Sequence, residues 1–338
     1  SKRGWRFLHE SLSNNRMKLK VVLWPVIFYL FLTLIFFHKI FLNYVPFPGD
    51  LLISNYQPWR STTYLGYAPG SYPTKNQYFD VIRQIYPWKT ESLSQIKNGQ
   101  IPLWNPFNFS GSPLLANHQS AVFYPLNFLY FLTSQINAWT ILVMLQPLLA
   151  GIFTYLFARQ IGLGKNGALL GGIAFGYSLF MMVFTEYNTI NQTILWLPLI
   201  LLSIENLTNK LSKRWVLVFI FASLSSLFAG HLQVFAGVYG LAMLYLFYRL
   251  SVKKILDKKN LFKWLILICL PIGLGAIQLL PTLELINNSA RVPQNYQFLI
   301  NQLLIQPKDL LRFLVPDLFG NPAVGNYLLQ DPYPGKAV

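Results

Sequence analysis

Acidic side chains are scarce in this chain, with only 11 Asp or Glu among 338 residues. Three of them, Asp50, Asp80 and Glu91, fall in one polar stretch between Phe47 and Tyr130. Asp50 and Asp80 open the same short phrase. Each is followed, seven or eight residues on, by Pro-Trp and a basic residue, as Pro58-Trp59-Arg60 and Pro87-Trp88-Lys89. A carboxylate close to an apolar boundary is costly and is usually kept for function or for pairing. Set among aromatic rings with Arg and Lys nearby, it suits transfer of a group from a lipid phosphate to a hydroxyl. The carboxylate takes the acceptor's proton as general base, and a cation stabilises the departing phosphate. Asp50 or Asp80 is the candidate base. Arg83, Lys89, His118 and Arg291 are candidate contacts for the donor's phosphate or sugar. Trp59, Trp88, Trp104, Asn105 and Glu186 are candidate walls of the chamber.

Each of these residues also has a plain structural reading. Asp50 follows Pro-Gly and precedes an apolar run, the position of a helix N-cap. Asp80 has Arg83 three residues on, the spacing of a surface ion pair worth little when exposed. His118 between Asn117 and Gln119 reads as a hydrogen-bonded loop histidine, and the tryptophans read as interfacial anchors. Arg291 lies seven residues past Glu284 and would share a helix face with it. Glu186 falls in what reads as a short outer loop, 186–191. His231 and Gln233 mark a tight turn. There is no His-x-Glu-x-x-His, Gly-x-Ser-x-Gly, P-loop or Cys-x-x-Cys sequence, which argues against zinc proteolysis, acyl-serine chemistry and nucleotide hydrolysis. The single cysteine, Cys269, sits in an apolar run and reads as a small buried hydrophobe.

The elements that must position these groups are membrane helices. The chain is 54% hydrophobic and 11% charged, against roughly a quarter charged in soluble domains. Apolar runs long enough to cross a bilayer recur along it. The first runs from about Leu19 to Leu42, after a basic stretch (residues 1–18) that should stay in the cytoplasm. Further spans are expected at Ala138–Ala158, at Gly167–Phe184 (rich in glycine for close packing), through Trp196 and Pro198 to Leu207, and at Trp264–Leu285. The run Trp215–Leu250 is too long for one crossing, and the polar break Ala229–Gln233 divides it in two. The expectation is an all-α polytopic protein of about seven transmembrane helices over 19–286. Its large first outer loop, 43–137, should carry short interfacial helices, and an outer segment, 287–338, should begin a longer region cut short here. With this topology the inner side holds 17 basic and three acidic residues and the outer side ten and eight. The net charge of +16 is then a topology signal, not a nucleic-acid footprint.

Three passages carry a family resemblance. They are Asp-Val-Ile-Arg-Gln-Ile-Tyr-Pro-Trp-Lys (80–89), Gly-Gln-Ile-Pro-Leu-Trp-Asn-Pro (99–106) and Gly-Ser-Pro-Leu-Leu-Ala-Asn-His-Gln-Ser-Ala-Val-Phe-Tyr-Pro-Leu-Asn (111–127). They resemble the YfhO family of bacterial membrane proteins, as do Gly230-His231-Leu232-Gln233, Gln278 to Glu284 and Leu314 to Asn321. That family is similar in turn to the GT-C glycosyltransferases. The resemblance implies a cell-membrane enzyme with its site on the extracytoplasmic face. Such an enzyme takes sugar from a polyprenyl-phosphate donor and passes it to a cell-wall polymer or glycan. The family's general base falls on Asp50 by position, with Asp80 as the alternative. An adjacent carboxylate pair is missing, which leaves a divalent metal open. The rival readings are a transporter or flippase of a lipid-linked glycan, and a non-catalytic envelope assembly protein.

Overall fold

The computed structural model describes residues 23–64, 66–69, 71, 79–108, 110–255 and 258–289, with scattered positions between 307 and 328. The chain is mostly helical, and its helices follow the apolar runs. They are α1 (Leu23–Phe36), α2 (Tyr86–Lys97), α3 (Gln135–Gln160), α4 (Lys165–Gly176), α5 (Leu179–Phe184), α6 (Ile190–Asn209), α7 (Lys213–Phe228), α8 (Leu232–Val252), α9 (Lys258–Leu274) and α10 (Ala276–Asn287). Helices α3, α6 and α8 are long and apolar enough to cross a membrane. The number rises to five if each of two bent pairs, α4 with α5 and α9 with α10, is one span. This is the make-up of an all-α multi-pass membrane protein.

The breaks have local causes. Between α4 and α5 the axis turns by 42°, and the Ser178 hydroxyl accepts from the Met181 N–H to start the new helix. Between α9 and α10 it turns by 64°, with Pro271 and Pro281 inside the two helices removing backbone donors. The break expected near 229–233 falls between the end of α7 at Phe228 and the start of α8 at Leu232. His231 caps α8 there, its Nδ1 accepting from the Val234 N–H at 3.4 Å.

Small residues let α1, α3 and α4 approach. A methyl on Gly172 would lie 2.6 Å from the Gly151 carbonyl, and one on Gly176 would lie 2.8 Å from the Pro147 carbonyl. Neither position has room for one. Tyr29 of α1 lies over Gly151 and donates its hydroxyl to the Leu169 carbonyl at 2.9 Å. Without a hydrophobic drive between helices in lipid, close contact and hydrogen bonds of this kind hold helices together.

Cys269 is exposed, not buried as its sequence context suggests. Trp264 and Leu267 turn α9 inward, and Cys269 falls on the other face. Lipid tails are as apolar as a core, so hydrophobicity does not separate an inward residue from an outward one in such a helix.

The chain divides into two compact units, Ser1–Phe47 with Arg83–Leu285, and Pro48–Ile82 with Ile286–Val338. In the second, 3₁₀ turns at Gly49–Leu51 and Trp59–Ser61 flank a single helical turn, Leu52–Asn55. Leu51, Ile53 and Val81 are buried.

Candidate functional site

The segment between α1 and α3 is pinned at several points to the helices. Phe47, Tyr86 and the buried Trp139 of α3 form a triangle of rings with centroids 4.8, 5.5 and 5.7 Å apart. Each such pair contributes about 0.5–1.5 kcal/mol beyond its buried area. The start of the segment and of α2 are thereby fixed to the first long helix. A two-residue hairpin pairs Trp104–Asn105 with Ser112–Pro113. Gly111, at φ +114°, sits so close under the Trp104 indole that no side chain fits there. The far end is fixed by α10, where Gln278 donates to the Leu115 carbonyl at 2.7 Å and Thr282 to the Ala116 carbonyl at 2.9 Å. Short helices were expected from the apolar pieces 81–88 and 121–133. A π turn, Val81–Ile85, leads into α2, and a 3₁₀ helix spans Pro125–Phe131.

At the centre of this segment lies Lys89, 6% exposed. Its ammonium donates to the Ser120 carbonyl at 2.8 Å, and to the Ala121 carbonyl and Asn127 Oδ1 at 3.4 Å each. Asn127 in turn donates to the Ala121 carbonyl at 2.6 Å. Three donors meet three oxygens, all neutral. Removal from water pushes the lysine down to about 7, while the three acceptors favour keeping its proton. Lys89 therefore holds the 118–127 loop in place. It was a candidate for the donor's phosphate, and that reading is corrected: its donors are already spent inside the protein.

His118 is also buried, and neither ring nitrogen has a hydrogen-bond partner. Burial pushes it down to about 4, against a smaller opposite pull from the nearby Gly230 and Leu227 carbonyls. The imidazole is neutral at pH 7. A buried neutral imidazole does not suit a contact to the donor's phosphate, and the Gly230 and Leu227 carbonyls are the groups that face it. Asn105 is likewise not a chamber wall: it is 3% exposed and its Oδ1 accepts from the Phe107 N–H at 3.0 Å, closing a turn.

Trp104 is exposed, and its carbonyl accepts from Gln95, which also donates to Glu91 at 2.6 Å. Arg83 is exposed and Trp88 half-buried. Asp50, Trp59 and Asp80 belong to the second unit. Asp80 is exposed, and Trp59 is exposed with its ring edge-on to Tyr64. Asp50 is half-buried inside the Gly49–Leu51 turn. It caps neither that turn nor the helical turn that follows, so the N-cap reading does not hold. Arg291 lies outside the described residues, as does its pairing with Glu284. Among the described residues no three His, Cys, Asp or Glu side chains gather as a metal site would need.

Glu186 is half-buried in a 3₁₀ turn, Thr185–Tyr187. A turn separates α5 from α6 where one was expected at 186–191, but it is largely buried. Thr185, Asn188, Thr189, Asn191 and Gln192 are all buried. Gln146, eleven residues (about 16 Å) into α3, donates to the Thr185 carbonyl at 3.1 Å and to Asn188 Oδ1 at 2.9 Å. The turn therefore packs against the middle of α3. The sequence signal was Gln146-Pro147 in an otherwise apolar run.

A second buried polar cluster also went unread. Glu205 of α6, 4% exposed, accepts from Arg249 at 2.5 Å and Tyr245 at 2.9 Å, and pairs with Lys253 at 3.6 Å. Tyr245, Arg249 and Lys253 recur every four residues on one face of α8. Nothing in the sequence ties that face to a glutamate some forty residues earlier.

No protein-family model, curated protein sequence or solved structure matches this chain.

Proposed function

We propose that this protein is a cell-membrane glycosyltransferase of the GT-C type. In this reading it spans the membrane about seven times, with the segment 43–137 on the extracytoplasmic face. It moves a sugar from a polyprenyl-phosphate donor to a hydroxyl of a cell-envelope glycan or polymer. The acceptor hydroxyl gives its proton to Asp50 or Asp80. The acceptor oxygen attacks the anomeric carbon as the bond to phosphate breaks, with inversion, and the polyprenyl phosphate leaves.

The observation that carries this reading is Asp50. It is a half-buried carboxylate just beyond the first apolar helix, and it is not used to cap either neighbouring turn. The resemblance drawn from 80–127 and the sorting of charge along the chain support it. The position of Lys89 refines it: the phosphate's cation must come from elsewhere, with Arg83 the exposed choice. The test is transfer from a radiolabelled polyprenyl-phosphate sugar in membranes holding wild type, Asp50→Asn or Asp80→Asn. Loss of the base should cost about 10²–10⁴-fold. Undiminished transfer by both variants, each inserted at the wild-type level, sinks the assignment.

One observation favours the transporter reading. Two apolar helix pairs are broken, and the turn that follows one of them, 185–192, carries buried amides, a pattern shared with transporters built on discontinuous helices. Movement of a fluorescent polyprenyl-phosphate sugar across proteoliposomes without any acceptor would select it over transfer.

A further inference from the structure

The turn between α5 and α6 gathers buried oxygens that the fold leaves unused. Gln146 and Asn191 are fully buried and Thr189 is 1% exposed. The Gln146 amide spends its nitrogen on the Thr185 carbonyl and Asn188 Oδ1. The Asn191 amide spends its nitrogen on the Met181 carbonyl and, at 3.4 Å, on the Thr185 hydroxyl. Both amides are thereby anchored to the same residue, Thr185, and each is left with its oxygen, Gln146 Oε1 or Asn191 Oδ1, without a partner. The Thr189 hydroxyl is a third orphan, and its methyl is the group turned to Gly230. A buried acceptor left unpaired is costly, because it has given up its bonds to water for nothing. Thr189 and Asn191 on the turn, with Gln146 on the helix packed against it, bring three such oxygens to one part of the fold.

The geometry points to a binding site for one monovalent metal cation, sodium in the first instance, held by Gln146 Oε1, Thr189 Oγ1 and Asn191 Oδ1. Amide and hydroxyl oxygens are hard ligands that suit hard cations. No three carboxylates or imidazoles gather among the described residues, as a divalent ion would favour. The inference does not depend on sugar transfer.

The test is the unfolding midpoint of the purified chain in nanodiscs. Sodium chloride replaces choline chloride at constant ionic strength, and ²²Na⁺ binding gives the stoichiometry. A saturable rise with sodium, at one ion per chain, is expected. Thr189→Val and Asn191→Leu should weaken half-saturation at least tenfold, and Thr189→Ser should keep it. Potassium giving the same saturable rise, lost in the same variants, also supports the cation site. Each variant is compared with itself in choline, so a lower midpoint alone is not mistaken for lost binding. If Asn191→Leu fails to fold, the Thr189 pair carries the result. Equal midpoints in sodium, potassium and choline overturn the proposal. So do a response to magnesium or calcium only, and a sodium response undiminished in Thr189→Val. In those cases the oxygens hold ordered water only.

Discussion

Among the described residues, basic side chains turn inward in two places and are treated differently: Lys89 is buried, and Arg249 and Lys253 are half-buried. Between α1 and α3, Lys89 is enclosed by two carbonyls and an amide oxygen and faces no carboxylate. At the C-terminal ends of α6 and α8, Arg249 and Lys253 share the carboxylate of Glu205, and Tyr245 binds its second oxygen. In the first, the ammonium is tolerated because three neutral oxygens of one loop accept its protons. In the second, charge neutralises charge and joins two long helices. A basic residue thus says little by its presence. What it meets decides whether it organises a loop or ties helices.

The largest expected effect tests the carboxylate. Glu205→Ala leaves Arg249 and Lys253 without their counter-charge. A fully buried pair would lose about 3–5 kcal/mol. With these cations 22% and 20% exposed, a loss of about 2–3 kcal/mol is expected. Chemical unfolding in mixed micelles should show it. If Glu205→Ala loses under about 1 kcal/mol, solvent already screens the cluster and the contrast with Lys89 narrows.

Lys89→Met keeps the stem and removes the ammonium. It gives up three hydrogen bonds but also a desolvated charge, so a loss of only about 1–3 kcal/mol is expected. The loss should be local: proteolysis within 111–127 should quicken while the α6–α8 pairing stays intact. Equal loosening of both regions would argue against a loop-holding role.

The pH response separates the regions further. The folded state holds Lys89 down at about 7 against its ordinary 10.5. Between those values the unfolded chain binds more protons, so stability rises with pH from about 7 upward. The slope is at most about 1.4 kcal/mol per pH unit. The range from pH 7 to 9 is clean, because burial raises the Tyr124 and Tyr130 phenols. Lys89→Met should flatten this slope. His118 gives the acid counterpart. With its folded value down at about 4 against 6.5, stability should fall as pH drops from about 6.5 to 4, and less so in His118→Gln.

The smallest effect is expected from Tyr245→Phe. Arg249 remains on Glu205, so the loss should be near 1 kcal/mol, one hydrogen bond. A loss as large as that of Glu205→Ala would mean the tyrosine, not the arginine, keeps the carboxylate charged.

Legibility from the sequence was uneven, for reasons that individual residues make plain. The apolar runs marked the helices, and Gly172 and Gly176 marked a close crossing, because a missing side chain is visible in a sequence. Ala229–Gln233 marked a break because polar residues interrupt an apolar run. Asn105 and Lys89 misled, since a polar residue in a polar segment gives no sign of facing inward. The turn at 185–191 misled because its polarity read as exposure, when Gln146 offered it a buried partner.

What the sequence determined by itself was periodicity and run length: an all-α chain with apolar helices, broken where Pro, Gly, Ser or His interrupts them, and with its charges sorted into blocks. Those properties are local, set by each backbone hydrogen bond and each side chain's preference for oil or water. The tertiary structure alone decided which polar groups meet. Glu205 and Arg249, or Gln146 and Asn188, lie some forty residues apart and meet only because their helices pack. Hydrogen bonds and ion pairs depend on distance in space, which a linear pattern does not contain.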